Sequence, residues 1–168
     1  MAWQGAWPPH EVYQSRRRLV QLRATVDHLP PETDDEIKAS LARFLAVRSC
    51  GHIEFAFDEC LSQFAVAKAH PSIAGYVRGG LFNGRNPHPE VLVKRLRMLK
   101  PEWADEFSVY LEEDDNFRSR ELGLLVTRRN GISHGQNEGL TQRKSLDLAS
   151  LALDVADWLS ERLRPAQE

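Results

Sequence analysis

Apolar residues recur along most of this chain at three- and four-residue intervals, the spacing that lines one face of an α-helix. A first helix is predicted over about 11–29, ending at Leu29-Pro30-Pro31 because proline has no amide to donate. Thr33-Asp34-Asp35-Glu36 reads as a capping box opening a long helix over about 34–69, which closes before Pro71. Ile53, Phe57, Cys60, Leu61 and Phe64 share one stripe of that helix, so its second half belongs to a core. Residues 71–90 are rich in glycine and proline and read as a loop with one helical turn. Helices follow over about 89–100, 102–113 and 117–129, the first two parted by Pro101. Asn130-Gly131 is the expected stop of the third, since both residues tolerate the left-handed conformation. A last helix covers about 141–164, and no strand-like alternation occurs anywhere. The expected fold is all-α: one helical bundle of about five to seven helices over 11–168. Residues 1–10, with Trp3, Trp7 and Pro8-Pro9, form an arm that is either mobile or laid across the surface.

The last helix is more apolar than a surface position requires. Asp147, Ser150, Asp154, Asp157 and Glu161 make one narrow polar stripe, while Leu146, Leu148, Leu151, Leu153, Val155, Trp158 and Leu159 surround it. A surface helix needs an apolar face only ~100° wide. This one either runs through the middle of the bundle or joins a subunit interface.

Composition narrows the class. At 168 residues with 42% hydrophobic and 27% charged residues, the chain can bury its own core without a metal or disulfide. Disordered, collagenous and disulfide-rich classes are excluded. No apolar run approaches the ~20 residues of a membrane span and no signal core is present, so a soluble cytoplasmic domain is expected. The formal charge of −2 argues against a general polyanion binder. Charge is unevenly placed all the same: residues 85–100 are basic, residues 101–115 carry seven acids and no Lys or Arg, and arginine outnumbers lysine 17 to 5. Cys50 and Cys60 are ten residues apart, ~15 Å along a helix, so they do not pair and are expected to be buried thiols. There is no CxxC, HExxH or His/Cys cluster, hence no expected metal or cofactor.

The segment 117–140, FRSRELGLLVTRRNGISHGQNEGL, carries the candidate chemistry. Leu122, Leu125 and Val126 form an apolar stripe that Arg129 continues at i+7. A guanidinium there must reach solvent past its own stem or meet an anionic partner. The Asn130-Gly131 break is expected to turn the chain back, bringing His134 close to Arg129 with an accessible imidazole. Arginine and histidine together suit phosphodiester chemistry. RNA supplies its own 2′-hydroxyl nucleophile, a histidine of ordinary pKa (~6.5) serves as base or acid, and an oriented guanidinium stabilises charge on the phosphate. Bare Arg-x4-His spacing is weak. Arg23 to His28 is a second instance, read as a helix-end histidine against the dipole. His10, His70 and His88, each near a proline, read as loop or cap residues, and Arg16-Arg17-Arg18 as a solvated face.

The fuller string Arg129-Asn130-Gly131-Ile132-Ser133-His134 resembles the Arg-x(4–6)-His motif of the HEPN superfamily, within it the RiboL-PSP-HEPN-like group. Arg48-Ser49-Cys50-Gly51-His52-Ile53-Glu54 is similar to that group's Arg-Ser-x-Gly-x-x-Glu segment. The resemblance covers about residues 40–163. It implies a metal-independent endoribonuclease leaving a 2′,3′-cyclic phosphate, acting in toxin–antitoxin systems, defence or RNA processing. It also implies a homodimer whose two motifs share one cleft, with RNA as substrate and an antitoxin protein as a further partner. Arg129 would hold the phosphate, His134 act as base or acid, and Asn130 orient the site. Glu54 and Arg48 would support them. The alternative is a catalytically inactive HEPN-like module for dimerisation, nucleotide binding or partner binding, a view that the modest net charge favours.

Overall fold

The computed structural model describes residues 5–136 and 139–166; Trp3 of the expected arm lies outside them. Six helices and no strand occur among the described residues: α1 (His10–Asp27), α2 (Asp35–Lys68), α3 (Pro71–Gly79), α4 (Pro89–Leu99), α5 (Pro101–Ser133) and α6 (Gln142–Arg162). None is long and apolar enough to cross a membrane.

α2 and α6 form the central pair, with α1 against both, α5 against both from another side, and α4 against α5. α6 divides its apolar girdle between two clusters. Leu148, Leu151, Ala152, Val155, Ala156 and Leu159 enter the main core with Ile53, Phe57 and Cys60 of α2. Leu146, Ala149 and Leu153 pack with Leu19 and Val26 of α1 and Leu45 of α2. The helix therefore runs through the middle of the bundle, and burial within one chain accounts for its composition. Cys50 and Cys60 are both free and buried. The end of the arm lies across the surface: Trp7 is half-buried and its Nε1 donates to the carbonyl of Ser160 at 2.8 Å.

Three local expectations are corrected. Residues 71–79 form a helix of nine residues rather than one turn. Pro71 sits where its missing amide costs nothing, the His70 ring accepts from the Ser72 amide at 3.4 Å, and buried Ala74 anchors the helix. The cap of α2 is Asp34, whose carboxylate accepts from the Glu36 amide at 2.8 Å, so the Thr33-to-Glu36 box does not form. The third correction, at the end of α5, belongs to the site below.

α5 is broken at 113–116, where Glu113 is extended and Asp114, Asp115 and Asn116 take φ of 54°, 57° and 59°. Asp and Asn are the non-glycine residues that enter this region most readily. Arg118 staples the break, lying 4.4 Å from the Tyr110 ring centroid and donating to the Tyr110 carbonyl at 3.0 Å. The basic and acidic blocks meet here as neighbours, with Arg97 of α4 paired to Asp105 of α5 at 2.9 Å.

His52 of α2 is 3% exposed, and its Nδ1 shares a 2.9 Å hydrogen bond with the Ser15 hydroxyl of α1. Burial pulls its pKa down to about 4, with Arg16 and Arg48 acting in the same sense and Asp157 opposing. The unfolded ring titrates near ~6.5, so on acidification the unfolded chain takes up this proton first. Stability from this group is complete above about pH 6.5 and is lost as pH falls toward 4, by on the order of 3 kcal/mol at most. Urea unfolding over that range checks it: the acid-side loss should shrink in His52→Gln.

Candidate functional site

Leu122, Leu125 and Val126 are fully buried, and Arg129 emerges from their stripe half-covered, its side chain 29% exposed. Of the two options open to such a guanidinium, it takes the anionic partner. Its Nη2 stands 4.0 Å from Oε1 of Glu54 on α2. Its Nη1 donates to Oδ1 of Asn86 at 3.0 Å and to Oδ1 of Asn130 at 3.1 Å. The Asn86 Nδ2 in turn donates to Asn130 Oδ1 at 3.1 Å, closing a ring of three side chains. Two amide oxygens on one nitrogen set the plane of the guanidinium, and pre-orientation of that kind makes it effective against a phosphate.

Glu54 backs the arginine from the protein side. Burial holds its carboxyl above the ordinary carboxylate range, while Arg129 and the thiol of Cys50 pull the other way. The Cys50 Sγ donates to Glu54 Oε1 at 3.8 Å, and burial, reinforced by that carboxylate, pushes the thiol up to about 12. Cys50 is thus a neutral neighbour and no nucleophile.

The expected turn after Asn130 does not form. α5 runs on to Ser133, His134 is its C-cap, and the left-handed residue is Gly135 with φ +75°. The Gly135 amide donates to the Ile132 carbonyl at 3.0 Å and the Gln136 amide to the Gly131 carbonyl at 2.9 Å, the two bonds of a Schellman end. Ile132 explains the extra turn: it lies seven residues past Leu125, continues the apolar stripe and packs against the main core. Five residues of continuous helix separate Arg129 from His134 by ~7.5 Å along the axis and ~140° around it. The histidine is therefore not folded back onto the arginine. It stands exposed one turn above Asn130, the i+4 neighbour, at the rim of the Asn86–Arg129–Asn130 ring.

The structure thus brings Arg129, Asn130 and Glu54 together, keeps His134 at the rim, and places Arg48 elsewhere. Arg48 is six residues before Glu54, on the face of α2 that looks toward α1, where it lines a cavity with Arg18 and His52. Asn86 is the member that sequence reasoning missed. Its only signal is the Asn86-Pro87 dipeptide, which marks a turn and says nothing of a side chain's destination. Of the other histidines, His10 is the first residue of α1, after Pro9 as N-cap, rather than a loop or cap residue, while His28, His70 and His88 fall where expected. His28 caps α1 with Nδ1 2.8 Å from the Ala24 carbonyl, Arg23 donates to Ser150 at 3.0 Å, and His70 and His88 are the N-caps of α3 and α4. Arg17 and Arg18 are exposed, while Arg16 is tied to Asp157 at 2.7 Å.

A family model described as RiboL-PSP-HEPN matches residues 13–164, which takes in α1 as well as the motif-bearing helices. No curated protein and no solved structure matches the chain.

Proposed function

Since the chain belongs to the RiboL-PSP-HEPN family, we propose that it is an endoribonuclease that cleaves RNA without a metal, by attack of the 2′-hydroxyl on the adjoining phosphate. The bond from that oxygen to phosphorus forms, the 5′-oxygen leaves, and a 2′,3′-cyclic phosphate remains. The observation that carries this reading is the Arg129 guanidinium, plane-set by Asn86 and Asn130 and backed by Glu54, at the rim where His134 is exposed. Arg129 takes the non-bridging oxygens as their charge grows, and His134 handles a proton.

Cleavage of this type needs a base for the 2′-hydroxyl and an acid for the leaving oxygen, on opposite sides of the phosphorus. One imidazole at the rim serves one side. We therefore infer a homodimer in which two rims face each other and the second His134 serves the other. A ribonuclease of this kind fits a toxin, a defence effector or an RNA-processing enzyme, and a toxin would require an antitoxin protein as partner.

The test is RNA cleavage by the purified protein in excess EDTA. Activity should persist in chelator, products should end in a cyclic phosphate, and a deoxyribose at the cleaved position should block the cut. Cleavage abolished by EDTA rejects the mechanism. An inert protein that still dimerises supports the alternative, an inactive binding module, which the net charge of −2 favours.

A further inference from the structure

α2 carries a second constellation on the side that faces α1, adjoining that of Glu54. There a cavity of about 450 Å³ opens between α1 and α2, within the size range of small-ligand sites. Arg18 enters its wall from α1 and Arg48 from α2, both exposed. Neither has an acid one helical turn away: Gln14, Ser15, Gln21 and Leu22 flank Arg18, and Phe44, Leu45, Gly51 and His52 flank Arg48. This separates them from Arg16, Arg43, Arg95 and Arg97, each paired with a carboxylate. The polar contact of Arg18 is with the uncharged Gln14, at 3.4 Å. Among the described residues Glu11 is the one carboxylate of the wall, so the cavity is net positive.

His52 also lines the cavity, its ring held by the Ser15 hydroxyl. Two further features point to an occupant. Gly51 stands in mid-helix, and a Cβ there would meet nothing within 4 Å, so protein packing does not demand glycine. Glycine weakens a helix interior relative to alanine, and what it provides here is an unobstructed approach to α2. Phe55, half-buried in the same wall, supplies an aromatic surface for a base.

We propose that the α1/α2 cavity is a second, non-catalytic site that binds a nucleotide, its phosphate between Arg18 and Arg48 and its base toward Phe55. The phosphate comes either from a free mononucleotide or from the backbone of an RNA strand. The segment Arg48-x-x-Gly51-x-x-Glu54 thereby serves two faces: its first two members hold this ligand and the third backs Arg129. The site does not depend on whether the chain cleaves RNA.

The test is equilibrium binding to the full chain at low salt, with AMP and with a 2′-O-methyl RNA decamer that cannot be cut. Arg48→Ala and Arg18→Ala should each weaken binding about tenfold, while Arg97→Ala on α4 leaves AMP binding unchanged. Gly51→Leu puts bulk into open space on an exposed helical position and should block the cavity in a folded protein, as a thermal melt would verify. Saturable AMP binding lost in these variants identifies a free nucleotide as the source. Binding of the decamer alone, with the salt dependence reduced by about one ion in Arg48→Ala, identifies the RNA backbone. Affinity for both ligands that is unchanged in Arg48→Ala and Gly51→Leu, or that falls only in Arg129→Ala, overturns the proposal.

Discussion

RNA cleavage by His134→Ala is expected to fall by about 10²–10⁴-fold, the usual worth of a positioned proton-transfer group. Because the imidazole is exposed at the end of α5, the variant should melt with the wild-type protein, so the loss is chemical. Arg129→Ala is expected to lose about 10²–10³-fold, comparable with removal of one pre-oriented donor to a developing oxyanion. The two losses should differ in kind. Removing His134 lowers kcat and leaves KM near its original value, whereas removing Arg129 raises KM as well, since the guanidinium also grips the ground-state phosphate. Arg129→Lys should not restore activity. An ammonium is a point charge on a flexible stem and cannot place one nitrogen between the Asn86 and Asn130 oxygens while presenting others to substrate. Full activity in either alanine variant would end the proposed mechanism.

Asn130 sits between these two groups, and its neighbourhood shows what the sequence revealed and what it hid. The stripe Leu122–Leu125–Val126–Arg129 was legible because helical periodicity is a local property, and so was the arginine's need of an anionic partner. The identity of that partner was not, since Glu54 comes from a helix 75 residues earlier and Asn86 from a segment read as a loop with one helical turn. Two stop signals, Asn130-Gly131 and Gly135, stand five residues apart or less. Local propensity favoured the first, and burial of Ile132 selected the second. The consequence for function is large, because it moves His134 around the helix and off the arginine. The girdle of α6 was legible as over-apolar, but whether a neighbouring helix or a second copy covered it depended on how α1 and α2 fold around it. The Arg48–Glu54 segment was legible as a motif, yet six residues of helix carry its ends to different faces. Glycine content misled at α3, where Gly75 and Gly79 keep helical backbone under a proline start and a capped end.

Asp58→Ala is expected to lower stability sharply, and to reach the site as well. Asp58 lies on the same α2 face as Glu54, one turn further on, and is 6% exposed. Its Oδ1 pairs with Arg95 of α4, whose guanidinium carbon lies 4.2 Å from the centroid of the Phe57 ring. Its Oδ2 accepts the backbone amide of Phe82 at 2.8 Å, at a residue held with φ +58°. One carboxylate therefore ties α4 and the start of the connection 81–88 to α2. Alanine leaves a guanidinium largely enclosed without its counter-charge and an amide without its acceptor, a loss of about 3–5 kcal/mol. For a domain of this size that lowers the melting temperature by ~6–20 °C. The double variant Asp58→Ala/Arg95→Met should recover much of the loss, because no stranded charge remains. It should not recover cleavage to the same degree. Asn86 reaches Arg129 from the connection that the Phe82 amide anchors, and neither variant has that anchor. At a temperature where all three proteins are folded, both variants should cleave RNA more slowly than wild type, with KM raised in the manner of Arg129→Ala. A double variant that regains stability and wild-type cleavage together would show that the Phe82 tether does not position the arginine.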